Sequence, residues 1–133
     1  MTSDTNTRII LSTLWIIVML NMVFADIYSI MVFLVESEIP PIPGDPRTIM
    51  LIAVFVTNIP IAMIFLSRVL GRTANRRANF AGAILTIIYV IGGGDASSLH
   101  YIAAAAIEVA LLVAILWISM RWTASPDASH AHI

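Results

Sequence analysis

Four long apolar runs, separated by short polar segments, dominate the pattern of hydrophobic and polar positions along the chain. Each run is long enough to cross roughly 30 Å of hydrocarbon as an α-helix that rises ~1.5 Å per residue. The pattern predicts helices at about 9–35, 48–71, 76–94 and 97–122. The third helix is the weakest prediction because a run of three glycines ends it early. We therefore predict an all-α membrane protein, an antiparallel bundle of four transmembrane helices.

The polar segments divide the rest of the chain. We predict a short cytoplasmic N-terminus at 1–8, one transmembrane domain at 9–122 and a disordered cytoplasmic tail at 123–133. The first connection, 36–47, carries four prolines and cannot be helical throughout. We expect it to be an extended external loop.

The composition narrows the class of protein. Hydrophobic residues make up 59% of the 133-residue chain and charged residues only 11%, whereas soluble domains are about 25% charged. Cysteine is absent, which excludes disulfides and thiolate chemistry. A net charge of −1 argues against nucleic acid as a partner. Neither a glycine-rich phosphate loop nor an HExxH motif occurs, so we predict no cofactor and no metal.

Arginine placement predicts the topology. All seven cationic side chains are arginines, and six of them fall at the amino end, in the second connection or at the carboxyl end. In a four-span protein these segments share one side, so the positive-inside rule places both termini in the cytoplasm. Only Arg47 lies on the other side. We interpret four arginines of the second connection as snorkelling topology signals that contact membrane lipid: Arg68, Arg72, Arg76 and Arg77.

Polar residues inside the apolar runs are the candidate chemistry. A charged Asp at the centre of a membrane helix costs ~2.5–3.5 kcal/mol, so intramembrane carboxyls are candidate functional sites by default. We estimate the depth of each polar residue by counting residues from the midpoint of its apolar run. All four helices have a polar side chain at a similar depth, and these side chains form one polar layer. The predicted ligand-binding residues of this layer are Asn21, Asp26, Asn58, Tyr89 and Glu108. Asp26 and Glu108 are also the candidates for a catalytic acid and base.

Structural roles compete with each functional one. Pro60 and the alanines before Glu108 are more often packing features than parts of a site. Asn21 and Asn58 serve equally well as hydrogen-bonding links between helices. Tyr89 is of a type that often anchors a helix at the membrane interface.

Three strings resemble a known family: "LNMVFADIYS", "IPIAMIFLSRVLGRTANRRAN" and "IEVALLVAILWISMRW". With the signature "LSR…NR..N", they are similar to small bacterial four-helix membrane proteins that are classified only as a domain of unknown function. The resemblance covers the first, second and fourth helices and the second connection. It implies the four-helix fold and a multi-pass location in the bacterial inner (plasma) membrane, but no activity. The signature positions, without roles, are Asn21, Asp26, Pro60, Arg68, Asn75, Arg76, Asn79 and Glu108.

Three functional hypotheses follow. The first is proton-coupled transport or binding of a small lipophilic or cationic molecule. Size, helix count and a buried carboxyl are similar to those of small multidrug transporters, although the arginine bias indicates one fixed orientation. The second is a membrane-embedded acid/base enzyme with a lipophilic substrate. The third is an accessory subunit of a larger membrane complex, in which the polar layer holds helices together. A thin four-helix core also predicts a homo-oligomer.

Overall fold

The computed structural model describes residues 3–37, 44–94 and 97–123. They form four helices: α1 (Ser3–Glu36), α2 (Pro46–Val69), α3 (Arg72–Gly92) and α4 (Leu99–Arg121). The prediction of an all-α, four-helix protein is confirmed. Half of the proline-rich loop (38–43) and nearly all of the predicted disordered tail (124–133) lie outside the described residues.

Three of the four helices, α1, α2 and α4, are long and apolar enough to cross a membrane. The third helix has 21 residues, but its first two turns carry three arginines and two asparagines. Both asparagines, Asn75 and Asn79, are completely buried inside the bundle. The molecule is thus a helical membrane protein in which the side-chain amides of α3 are buried in the bundle and do not contact its exterior.

The helices run antiparallel in chain order. α1 and α3 each pack against both α2 and α4. At one end Arg8 Nη1 donates to the carbonyl of Arg68, 3.2 Å away, which joins the start of α1 to the end of α2. At the other end Ser29 Oγ lies 3.3 Å from His100 Nε2, near the start of α4. We call the first the terminal end, where α1 and α3 begin and α2 and α4 end, and the second the loop end.

The first helix starts six residues earlier than the apolar pattern predicts. Asp4, in its first turn, accepts a hydrogen bond of 2.9 Å from Trp122 Nε1 after the last turn of α4. Arg8 is bonded to the end of α2. These contacts hold a polar segment in helical form, and the resulting 34 residues span about 50 Å, more than the ~30 Å of a hydrocarbon core.

The start of α2 is set by a side-chain cap. The Asp45 carboxylate accepts hydrogen bonds from Thr48 Oγ1 at 2.8 Å and from the Thr48 N–H at 3.1 Å. Pro46 follows at the first helical position, where a missing N–H costs nothing. The Thr48 hydroxyl and N–H together lower the pKa of Asp45 from its ordinary value. The helix therefore begins at Pro46, next to the proline-rich connection.

The hydrophobic core lies in the half of the bundle nearest the terminal end. It is formed by Leu11, Trp15, Val18, Met22, Met63, Ala83, Leu112, Ile115 and Trp122. The buried residues of α2 are Pro60, Met63 and Ser67, and before Pro60 only the partly buried Ile59 packs against this core within the described residues. Proline cannot donate to the preceding turn and disfavours a straight helix. The segment of α2 before Pro60 is exposed or partly buried throughout.

Close packing of α3 depends on Gly82. A Cβ atom there would lie 3.3 Å from Met63 Cγ and 3.5 Å from Trp15 Cζ2. Ala83 beside it is completely buried. These small residues thus serve contacts within one chain, and the homo-oligomer stays a prediction.

Candidate functional site

A small cavity in the half of the bundle near the loop end is lined by all four helices. Its volume is about 80 Å³. The lining residues are Met22, Ala25, Asp26, Thr57, Tyr89, Val90, Gly93, Tyr101 and Glu108. We call it the acid cavity, because it holds the carboxyls of both Asp26 and Glu108.

Glu108 is the buried acid of the cavity, with 3% of its surface exposed. Its Oε2 accepts a hydrogen bond of 3.3 Å from Asn21 Nδ2. Its Oε1 is buried and has no hydrogen-bond partner within the described part of the chain. A buried oxygen without a partner carries a desolvation cost of about 1–3 kcal/mol. The site therefore favours a proton, a water molecule or a cation at that oxygen.

Asn21 positions Glu108. The same Nδ2 that reaches the carboxylate also donates to the carbonyl of Ala104, 3.0 Å away. Ala104 lies one helical turn before Glu108 on α4, and its small side chain lets the Asn21 amide reach the α4 backbone. Asn21 is half-buried and does not line the cavity. It links α1 to α4 directly behind the buried acid.

Asp26 lies at the rim of the acid cavity. Its side chain lines the same space as Glu108, yet a large part of it is exposed at the bundle surface. The two carboxyls therefore face one cavity from adjacent helices but differ in burial. Such a pair can hold one cation between an outer and an inner acid.

Two tyrosines complete the wall. Tyr101 donates its hydroxyl to the carbonyl of Val90 at 2.8 Å, which fixes the ring between α3 and α4. Gly94 packs directly against this ring, and any side chain there would overlap it. Tyr89 is half-buried and lines the cavity as well. Carboxylates combined with aromatic rings form an environment that suits a cation.

The structure does not bring Asn58 to the other predicted residues. Asn58 is exposed, and its Nδ2 donates to the carbonyl of Val54 on its own helix at 2.7 Å. The preceding residue, Thr57, lines the cavity instead. A one-residue step on a helix turns a side chain by ~100°, so depth alone could not distinguish the two.

Thr57 and Tyr101 are the site residues that sequence reasoning missed. Tyr101 lies seven residues before Glu108, which is close to two helical turns and puts both on one face of α4. That spacing was a usable signal. For Thr57, the sequence offered only a weak signal, a hydroxyl group three residues before Pro60.

The arginines of the second connection make specific bonds as well as a positive surface. Arg68 Nε donates to Ser12 Oγ at 3.0 Å, which links α2 to α1. Arg76 Nε and Nη2 donate to the carbonyls of Ser119 and Met120 at 2.9 and 3.1 Å. These carbonyls belong to the last turn of α4, which lacks partners of its own, and a cation there is favourable. The topological and lipid roles of the four arginines stay predictions.

A second buried polar cluster lies near the terminal end, and sequence reasoning assigned it no role. Asn79 Oδ1 accepts from Trp15 Nε1 at 2.7 Å and from Ser67 Oγ at 3.3 Å. Asn79 Nδ2 donates to the backbone and side-chain oxygens of Asn75 at 2.9 and 2.6 Å. The Asn75 amide donates in turn to the carbonyl of Ser67 at 2.7 Å. This amide network joins α1, α2 and α3, and every polar atom of Asn79 is satisfied.

Among the described residues, no group of three acidic or histidine side chains is placed to hold a metal ion. No curated protein and no solved structure matches the chain. The family model described as "Family of unknown function (DUF6326)" matches residues 1–129. This match confirms the expected uncharacterised family, and the chain belongs to DUF6326, a family of unknown function.

Proposed function

We propose that the protein binds a small cation, or the cationic group of a small molecule, in the acid cavity and exchanges it for a proton. The observation that carries the proposal is the buried Glu108 Oε1, which has no partner within the described residues and lies in a cavity shared with Asp26. A cation there gains two acidic partners, whereas a proton on Glu108 satisfies the site when the cation leaves.

The volume of the cavity supports a small ligand. A space of about 80 Å³ admits a few water molecules or an ammonium-sized group, because one water needs roughly 10–15 Å³ of such volume. Pockets for drug-sized molecules measure about 300–1,000 Å³. The first of the three functional hypotheses therefore narrows to a cation or a cationic group. An acid/base enzyme acting on a bulky lipophilic substrate fits the space less well.

The residues around the acid cavity support entry and exit of a ligand from one end of the bundle. Towards the loop end, the segment of α2 before Pro60 contributes no buried residue. Towards the terminal end, Val18, Leu112 and Ile115 form a fully buried core. We expect a ligand to enter past Asp26, which lines the cavity and is exposed, because the core closes the side towards the terminal end.

Proton release on binding tests the proposal. Purified protein in weakly buffered detergent is titrated with ammonium, ethylammonium or sodium ions while a pH dye is followed. We expect about one proton per chain to leave when a cation displaces it from the coupled acid pair. Glu108→Gln should abolish the release, because the amide keeps the volume but has no exchangeable proton. Asp26→Asn should weaken binding at least ~10-fold, in line with the loss of a charged partner.

Glu36→Gln is the matched control, since Glu36 is an exposed carboxyl at the end of α1. It should leave proton release unchanged. Absence of release from the unmodified protein with all three cations would overturn the proposal. Equal release from the Glu108→Gln variant would do the same.

A structural role is the second candidate, and Asn21 favours it. Its amide holds both Ala104 and Glu108, so the polar layer also works as a link between helices of an accessory subunit. In that case Glu108→Gln should fold normally, and the unmodified protein should release no proton with any cation. The same titration therefore separates the two functions.

We further propose that the protein is a multi-pass protein of the bacterial inner membrane with both termini in the cytoplasm. The arginine bias supports this orientation. The chain has no cysteine, so single-cysteine variants need no altered background. Ser37→Cys, after the exposed end of α1, should react with a membrane-impermeant maleimide in intact cells. Thr123→Cys, after α4, should react only in opened cells, and the opposite pattern would reverse the orientation.

A further inference from the structure

A basic groove between α3 and α4 lies at the terminal end, far along the bundle from the acid cavity. Its volume is about 410 Å³. It is lined by Thr73, Arg76, Arg77, Phe80, Ser119 and Met120, and we call it the arginine groove. We propose that it binds the phosphate headgroup of an anionic phospholipid, with an acyl chain lying along its apolar wall.

The charge of the groove points to an anion. Arg77 is exposed and makes no hydrogen bond or ion pair within the described part of the chain. Arg76 commits Nε and Nη2 to the carbonyls of α4. A guanidinium has five N–H donors, so further donors of Arg76 stay available to a ligand. Among the described residues, no acidic side chain lines the groove, so this part of the chain leaves the two cations without a neutralising partner there.

The helix itself adds to the attraction. α3 begins at Arg72, so Thr73, Arg76 and Arg77 occupy its first two turns. Unpaired backbone N–H groups and the helix dipole favour negative charge at this end. The Thr73 hydroxyl supplies a neutral donor beside the two guanidinium groups. Arginine in this setting can bind phosphate oxygens through two parallel hydrogen bonds.

The apolar wall indicates a lipid rather than a soluble phosphate compound. Phe80 is 47% exposed and lies one turn beyond Arg76 and Arg77, where the apolar part of α3 begins. Met120, on α4, is 54% exposed. The lining of the groove thus changes from arginine to apolar side chains within one helical turn. A phospholipid changes from a charged headgroup to an acyl chain over a similar distance. Basic pockets between transmembrane helices on the cytoplasmic side of a membrane bind anionic headgroups.

Lipid binding to the full chain in detergent tests the proposal by native mass spectrometry. Phosphatidylglycerol and phosphatidylcholine with identical acyl chains are compared, and phosphatidylglycerol should bind more tightly. Arg77→Gln should weaken phosphatidylglycerol binding about five-fold, as expected for one basic residue near a charged headgroup. Because Arg77 makes no hydrogen bond or ion pair within the described residues, the variant should keep the helix content of the unmodified protein by circular dichroism.

Arg47→Gln is the matched control, because Arg47 is an exposed arginine near the loop end. It should leave phosphatidylglycerol binding unchanged. Glycerol 3-phosphate, added at millimolar concentration, should not displace the lipid. Displacement would show that the groove takes a soluble phosphate compound instead. Equal binding of both lipids, or equal losses from Arg77→Gln and Arg47→Gln, would overturn the proposal.

Discussion

Replacing Trp15 with alanine is expected to destabilise the folded bundle by on the order of 3 kcal/mol, at the lower end of values for deleting a buried tryptophan. Trp15 is completely buried and lies against Gly82 of α3. Its indole N–H donates to Asn79, 2.7 Å away. The substitution removes the ring that α1 inserts between α2 and α3, and leaves a void that lipid cannot fill.

The measurement is the midpoint of unfolding by sodium dodecyl sulfate in mixed micelles, followed by circular dichroism. Trp15→Phe keeps most of the ring volume but loses the N–H donor, so it should cost only about 1 kcal/mol. Trp117→Ala is the control, because Trp117 is 54% exposed and contacts Arg121 rather than the core. If Trp15→Ala unfolds as late as Trp117→Ala, the proposed contribution of Trp15 to the stability of the core is wrong.

Replacing Asn79 with leucine is expected to cost about 2–3 kcal/mol although the two side chains have similar volumes. The change leaves the Trp15 N–H and the Ser67 hydroxyl without their acceptor. It also removes two donors from the oxygens of Asn75. Hydrogen bonds between membrane helices average only ~0.6 kcal/mol when measured singly. Here, however, several buried groups lose a partner at once, and no water replaces it.

Asn58→Leu is the matched control for the same chemical change. Asn58 is exposed and bonds only to its own helix, so its replacement should alter stability by less than ~0.5 kcal/mol. A double-mutant cycle of Trp15→Phe with Asn79→Leu should show coupling, because the two side chains share a hydrogen bond. Additive losses would mean that the amide network does not act as a unit.

These predictions assign stability to one half of the bundle and ligand binding to the other. The half near the terminal end contains the core, the amide network and the arginine bonds to helix ends. The half near the loop end contains the acid cavity and few buried apolar residues. Functional openings are generally drawn from the less stable parts of a structure. Variants of the core and network should therefore change stability, while Glu108→Gln should change proton release and leave the fold intact.

Much of this protein could be predicted from sequence alone. The lengths of the apolar runs were enough to predict an all-α membrane protein with four helices, because a spanning segment must satisfy its backbone hydrogen bonds internally. The depth of Asp26 and Glu108 along their runs was enough to expect them in one layer. Depth depends on residue count and rise per residue, and neither needs tertiary information.

Tertiary structure decided which side of each helix faces inward. Helices that are apolar all round carry little pattern to orient them, so nothing local distinguishes Asn58, which faces outward, from Thr57, which lines the cavity. The contact between Tyr101 and Gly94, the start of α1 at Ser3 and the bonds from Arg76 to α4 likewise require a neighbouring helix. Asn75 and Asn79 lie within a segment rich in arginine that resembles an exposed connection. They are buried because packing against Trp15 and Ser67 satisfies their amides; Trp15 is 64 residues from Asn79, and Ser67 lies on the preceding helix.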